Sequence, residues 1–495
     1  MTTTARLSTA QLDRAVGVLL ATAAGDALGA GYEFGPPLPV STPVTMIGGG
    51  TFGWAPGEWT DDTSMALVIA QAAATGTDLR GQPAQDQIAA GWAQWAQTAP
   101  DVGIQTRAVL AAAQRATQES GGDTVTAEHL RIAAQAQHEQ AGQSGGNGSL
   151  MRTAPVAVAY LHDEDGLIEA ATALSALTHY DPEAGQACVL WCLAIRHAVL
   201  TGQLDMRVGL GRLDPARRAV WADRLDEAET TPPAGFEHNG WVVQALQAAW
   251  SAISHTPVPV EDPVNATFRA QHLQLCLEAA VRGGGDTDTV AAIAGGLIGA
   301  TYGASAVPAA WRRILHGWWP QSQAGDLIAL GTAITTAGRA PFDGDYTHYS
   351  GVDALARHPY DEQVWLGGIN ALHTLPPGVD AVVSLCRISA DDIHPDLDHV
   401  QLRLIDKPNP AENPNLGFVL HDAVTILEQL RSEGRTVLLH CVQAQSRTPT
   451  VAALYGARKN RVSTAQALTD IKAVLPNADP NQAFHAALQA TEDPQ

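Results

Sequence analysis

Between residues 9 and 338, apolar residues recur at helical spacing, and convincing stretches of alternating apolar and polar residues are absent. The runs 11–31, 62–76, 83–97, 104–117, 167–177, 183–200, 241–253, 273–281 and 287–302 each predict a helix. Alanine, the strongest helix former, is abundant in them. Ser8 and Gln11 have the spacing of a capping box for the first helix. Helices without a sheet must bury their apolar stripes against one another, so the expected fold of residues 9–341 is one large all-α domain.

After Gly338 the texture changes. Residues 340–363 are rich in Gly, Pro, Asp and Tyr and read as a domain entry. Short apolar runs at 364–366, 381–385, 400–405 and 436–439 then alternate with helical segments at 418–433 and 449–459. That alternation predicts an α/β domain with a mainly parallel sheet over residues 342–495. A multidomain chain also suits 495 residues. With 29 Lys and Arg against 51 Asp and Glu, the formal net charge is −22, which argues against nucleic acid as a partner. Residues 1–15 show neither an apolar core nor a cleavage pattern, so no signal peptide is expected. The apolar segment 16–31 is short and carries Asp26, so no membrane span is expected. The five cysteines are scattered; Cys188 and Cys192, at i and i+4, read as core thiols rather than half a metal site. A reducing cytoplasm fits this usage.

Three acidic clusters interrupt the apolar helices. The first is Gly25-Asp26-Ala27-Leu28-Gly29, followed by Glu33. The second is Gly57-Glu58-Trp59-Thr60-Asp61-Asp62-Thr63, and the third is Gly283-Gly284-Gly285-Asp286-Thr287-Asp288-Thr289. The last two place paired carboxylates and hydroxyls at the first turn of an apolar helix. One Asp would cap such a turn and gain a few tenths to about 1 kcal/mol from the helix dipole. Two acids with a flanking Thr exceed that need, and crowded carboxylates repel unless a cation neutralises them. Oxygen-only donors suit a hard ion such as Mg²⁺ or Mn²⁺. On spacing alone, caps and cation ligands both remain open.

The stretches GDALGAGYEF (25–34), GEWTDDTSMAL (57–67), GGNGSLMRTAPVA (145–157), THYDPEA (178–184), NGWVVQAL (239–246) and GGDTDTVAAIAGGLIGATYG (284–303) occur in one order. In that order the chain resembles the ADP-ribosylglycohydrolase family, of the dinitrogenase-reductase-activating type. The resemblance implies an all-α fold with two Mg²⁺ or Mn²⁺ ions. By motif it implies Thr60, Asp61, Asp62, Asp286, Asp288 and Thr289 as ligands. It places Glu33 facing the metals and substrate, with Glu33 and Asp62 as candidates for the proton transfer. Gly146, Asn147, Gly148 and Ser149 would present backbone amides to a pyrophosphate. His179 would lie near the substrate ribose, unless it is a core histidine. The implied partner is an ADP-ribose-bearing substrate, a modified protein with arginine as the linkage. An inactive first domain stands as an alternative.

In the second region, the apolar run 436–439 leads into His440-Cys441-Val442-Gln443-Ala444-Gln445-Ser446-Arg447-Thr448, and an apolar helix follows. Converging backbone amides and the helix dipole stabilise a thiolate at the base of such a loop. Arg447 offers a planar fork to phosphate oxygens, and the Thr448 hydroxyl can bond the sulfur. Cys441 would attack phosphorus and Asp406 would protonate the leaving oxygen. Gln443, Ala444, Gln445 and Ser446 would line the phosphate. Residues 352–490, with VWLGGINAL (364–372) and VVSLCR (382–387), resemble the dual-specificity branch of the cysteine phosphatases. That family usually has Ala and Gly where this chain has Gln443 and Ala444. A phosphorylated substrate is implied. A non-catalytic phosphate-binding module is the alternative.

Overall fold

A computed structural model describes residues 7–318, 322–336, 353–388 and 393–492. The expected boundary at 342 lies outside the described residues. By its contacts the chain forms two units. The first comprises residues 1–257, 273–307 and 314–341, and the second 258–272, 308–313 and 342–495.

The first unit is helical. Its central pair is Thr9–Gly29, started by the Ser8–Gln11 capping box, and Thr287–Tyr302. Small residues bring these helices to backbone contact. A Cβ on Gly25 would lie 2.1 Å from the Ala291 carbonyl oxygen, and one on Gly295 would lie 2.1 Å from that of Ala21. Any side chain there would push the helices apart, and with them Asp26 from Asp288. The helices Asp61–Ala74, Ala154–Ala159, Pro182–Thr201 and Val242–His255 pack around this pair. Among the described residues two helices, Thr9–Tyr32 and Pro182–Thr201, are long and apolar enough to cross a membrane. Of their apolar windows, 89% and 67% are buried in the protein, as in core helices.

The helices Ala127–Ala141 and Pro215–Thr230 were not anticipated. Each buries only three residues (Ala127, Leu130 and Ala134; Trp221, Leu225 and Ala228), too thin a stripe to register as a period. Two short strands, β1 (His316–Gly317) and β2 (Ser322–Gln323), pair antiparallel.

In the second unit, β3 (Leu355–His358), β4 (Asp361–Gly367), β5 (Ala381–Ser384), β6 (Asp398–Gln401) and β7 (Val437–His440) form a sheet in the order β3-β4-β7-β5-β6. Only β3 runs antiparallel to its neighbour. β5 and β7 are buried along their whole length, which explains their continuous apolar sequences. The helices Leu416–Ser432 and Arg447–Asn460 follow the expected pattern. Residues 258–272 join this unit through Phe268, whose ring meets Phe418 at 6.4 Å and His421 at 4.8 Å. Residues 308–313 join it through Arg312 to Asp422 and Arg313 to Asp398 and Glu433.

Candidate functional site

The first unit gathers its acids where three helix ends meet. Asp26 belongs to Thr9–Gly29. Its two oxygens accept the Thr60 amide at 2.8 Å and the Thr63 amide at 2.9 Å, capping the helix Asp61–Ala74 from a neighbouring helix. Asp61 and Asp62 occupy that helix's first turn, and Asp288 the first turn of Thr287–Tyr302. Oxygens of Asp26, Asp62 and Asp288 lie within 4.8 Å of one another, and so do those of Glu33, Asp286 and Asp288. Asp288 is common to both groups. The Thr60 hydroxyl stands 2.8 Å from Asp62 Oδ2 and 3.4 Å from Asp288 Oδ2. Thr289 is buried, and its amide donates to Asp288 Oδ1. Asp61 falls in neither group of three; its Oδ2 accepts the Gly103 amide at 3.3 Å.

This arrangement fits hard cations. Glu33 Oε2 and Asp62 Oδ1 are buried and accept no hydrogen bond, although a buried carboxylate oxygen normally has a partner. Burial raises every member with a resolved shift, and repulsion from neighbouring carboxylates adds to it for Glu33, Asp61, Asp62 and Asp288. Asp26 rises to about 6 and Glu33 to about 8, while Asp61, Asp62 and Asp288 rise well above the carboxylate range. Asp101, which the sequence did not single out, faces the same cluster and rises to about 6. A divalent cation would reverse that repulsion.

A pH dependence follows. An acid whose pKa is higher folded than unfolded contributes stability that is complete below its unfolded value, near 4. That stability is lost as pH rises through the folded values, here about 6 for Asp26 and about 8 for Glu33. In chelator, the melting temperature is therefore expected to fall between pH 5 and pH 8 by several degrees. Saturating divalent cation should flatten the decline in differential scanning fluorimetry.

The glycine loop packs beside the cluster. Asn147 donates through Nδ2 to Asp286 Oδ2 at 2.7 Å, so it positions an acid as well as shaping the loop. Its own amide is taken by the Gly240 carbonyl. Asn239, unnoticed as a site residue, accepts the Asp286 amide at 3.0 Å through Oδ1. Gly146 and Gly148 let the His179 ring approach the backbone. His179 is buried, and burial beside Arg152 lowers its pKa well below the usual range, so the ring is neutral. Ser149 is buried. Its hydroxyl is buried against Ser175 Oγ at 2.9 Å and Cys188 Sγ at 3.6 Å, leaving only its amide for a ligand.

In the second unit a cavity of about 190 Å³ is lined by Asp406, Cys441, Val442, Gln443, Gln445, Ser446 and Arg447. Arg447 is fixed by Nη1 donating to the Leu385 carbonyl at 3.1 Å and the Leu404 carbonyl at 3.2 Å. Asp406, at the rim, accepts Asn481 Nδ2 at 2.9 Å. Asn481 also donates its amide to Ser446 Oγ and caps the helix Gln482–Ala490. Two expectations need correction. The Thr448 hydroxyl donates to the Gly367 carbonyl at 3.4 Å rather than to the sulfur, because its buried helix turn faces the end of β4. Ala444 does not line the cavity. It is buried, in the left-handed region at φ 53°, which costs a residue with a Cβ about 1–2 kcal/mol. Ala444→Gly is expected to stabilise the chain by about 0.5 kcal/mol in urea titration, after the added freedom of the unfolded glycine is subtracted.

Comparison with known proteins bears on both units. Over 304 residues the chain is 29% identical to the ADP-ribosyl-[dinitrogen reductase] glycohydrolase of Rhodospirillum rubrum, covering 60% of this chain and 89% of that one. Over 313 residues it is 29% identical to the ADP-ribosylarginine hydrolase Tri1 of Pseudomonas putida, covering 61% and 73%. A separate stretch of 101 residues is 35% identical to dual specificity protein phosphatase 1 of Arabidopsis thaliana, covering 20% of this chain and 48% of that one. The family model for ADP-ribosylglycohydrolase matches residues 7–340 and so takes in every carboxylate gathered around Asp288. The chain belongs to the ADP-ribosylglycohydrolase family.

Proposed function

We propose that the first unit hydrolyses the N-glycosidic bond between ADP-ribose and an arginine side chain of a modified protein, with two Mg²⁺ or Mn²⁺ ions. The observation that carries this is the pair of carboxylate triads sharing Asp288, with orphaned oxygens on Glu33 and Asp62. Thr60, Asp62 and Asp288 would hold one ion, and Glu33, Asp286 and Asp288 the other, with Asp61 and Thr289 beside them. When bound, the ions supply positive charge to the ribose hydroxyls and the attacking water. Asp62 is wholly buried and serves as a ligand. Glu33 is less buried than Asp62, so we assign it the proton from the attacking water. The Gly146, Gly148 and Ser149 amides and His179 bind the remainder of ADP-ribose, the Asn147 amide being held by the Gly240 carbonyl. Arginine as the linkage is supported by the relatives named ADP-ribosylarginine hydrolase.

The second unit we assign to phosphate-monoester hydrolysis, because Asp406 and Cys441 line one cavity with Arg447. The Cys441 thiolate attacks phosphorus, the bond to the leaving oxygen breaks, and Asp406 donates the proton. Asp406 then takes a proton from the water that cleaves the phosphocysteine, restoring the thiolate. A reducing cytoplasm would keep Cys441 a thiol. A non-catalytic phosphate-docking role is the second reading, favoured by Gln443 and by the strained Ala444.

For the hydrolase, release of ADP-ribose from an ADP-ribosylarginine peptide is measured with and without Mg²⁺ or Mn²⁺. Release that Asp61→Ala and Asp286→Ala abolish is expected. Release unaffected by chelator overturns the metal assignment.

A further inference from the structure

Arg152 is wholly buried, yet among the described residues it forms no ion pair. Its guanidinium lies over the Trp92 ring at 3.9 Å, and Trp92 is itself tied through Nε1 to the Met65 carbonyl. Burying a cation without an ion pair carries a desolvation cost, which the ring face, the hydrogen bonds and the more distant Asp61 charge offset. Its Nη2 donates to Thr178 Oγ1 at 2.6 Å, and that hydroxyl lies 2.8 Å from His179 Nδ1.

The proton count fixes the direction of this chain. Arg152 can only donate. Thr178 Oγ1 therefore accepts from it, and the hydroxyl has one proton of its own. Among the described residues that proton has no acceptor but His179 Nδ1. An Nδ1–H ring could use the second lone pair of that oxygen but would leave the buried hydroxyl proton without an acceptor, so the satisfied arrangement has a lone pair on Nδ1 and the hydrogen of the neutral ring on Nε2. Nε2 lies at the glycine loop, 3.3 Å from where a Cβ on Gly146 would stand and 3.2 Å from one on Gly148. Gln105 holds the relay in place, donating through Nε2 to the Thr178 carbonyl at 3.0 Å.

We infer that Arg152 and Thr178 are positioning residues that lock His179 as the Nε2–H tautomer, so that it donates a hydrogen bond to an oxygen of ADP-ribose at the glycine loop. The inference rests on the reading of this unit as an ADP-ribose hydrolase. Neither Arg152 nor Thr178 touches the substrate. Each acts through the imidazole, in the way a second partner sets the tautomer of a metal-bound histidine.

The test uses the full chain and two measurements. The ¹⁵N shifts of the His179 ring, assigned by their loss in His179→Gln, report the tautomer. Calorimetry with ADP-ribose and Mg²⁺ reports affinity. Wild type should show the Nε2–H form. Thr178→Val, close in shape but without the hydroxyl, should lose that form and bind ADP-ribose about tenfold more weakly. Thr178→Ser should restore both, which a purely structural defect would not allow. Arg152→Met should behave like Thr178→Val; if it does not fold, the threonine pair decides. An Nδ1–H ring in wild type, or a Thr178→Val variant with unchanged tautomer and affinity, overturns the inference. An Nε2–H ring in a wild-type protein that does not bind ADP-ribose overturns the hydrolase reading instead and leaves the relay standing.

Discussion

Asp288→Asn is expected to reduce ADP-ribose release by more than about 100-fold and, at the same time, to raise the melting temperature of the cation-free protein. Asp288 is the one carboxylate common to both triads. Loss of a partner that merely orients a metal ligand typically costs about 10–100-fold, so loss of a ligand shared by two ions should exceed that. The gain in cation-free stability has the same origin. Asp288 sits buried against Asp62, Asp286, Glu33 and Asp26, and each raises its pKa. Asparagine keeps the size and can still accept the Thr289 amide, but it removes one charge from the crowd. A rise of roughly 2 °C corresponds to about 1 kcal/mol or more in a chain of this length. Adding Mg²⁺ or Mn²⁺ should stabilise wild type strongly and the variant hardly at all. A variant whose cation-free melting temperature falls, or which keeps the full cation response, would show that these acids are ordinary helix caps.

How much of this was legible beforehand depended on the distance over which each signal acts. The pairs Asp61-Asp62 and Asp286–Asp288 could be read because both acids of each pair sit in one helix turn, beside the Thr that accompanies them. Asp26 stood in plain view within its cluster. Its place against Asp62 and Asp288, however, depends on two helices meeting at Gly25 and Gly295, a contact no local pattern encodes. Asp101 carries no local sign at all, since it lies in a loop and faces the cluster only after folding. Arg152 was hidden in the same way within the stretch 145–157. In the second unit the strand–loop–helix order was clear from apolar runs and turn residues. The role of Asn481 was not, because it joins Ser446, Asp406 and a helix start across 35 and 75 residues of chain. The attachment of residues 258–272 and 308–313 to the second unit was likewise invisible, because period and composition report on an element and not on what it packs against.

The second large effect is expected at the thiol loop. Wild type should turn over an aryl phosphate, and Cys441→Ser should lose that activity by on the order of 10⁴-fold or more, as removal of other covalent nucleophiles does. Asp406→Asn separates chemistry from binding. A general acid matters in proportion to the basicity of the leaving oxygen. The variant should therefore lose about 10²–10³-fold in kcat with an alkyl phosphate and little with nitrophenyl phosphate, at nearly constant KM. Asn481→Ala should give the same leaving-group dependence in weaker form, because it frees Asp406 without removing its proton. The docking reading predicts a different pattern. Phosphate would bind and Arg447→Ala would abolish binding, but no variant would change turnover, because wild type would have none. The cavity favours catalysis. A loop that only held phosphate would need Arg447 and the backbone amides. It would have no need of a carboxylate fixed by Asn481 on the rim of the same cavity, where its charge opposes an anion. An acid placed against a phosphate is useful when it gives up a proton there.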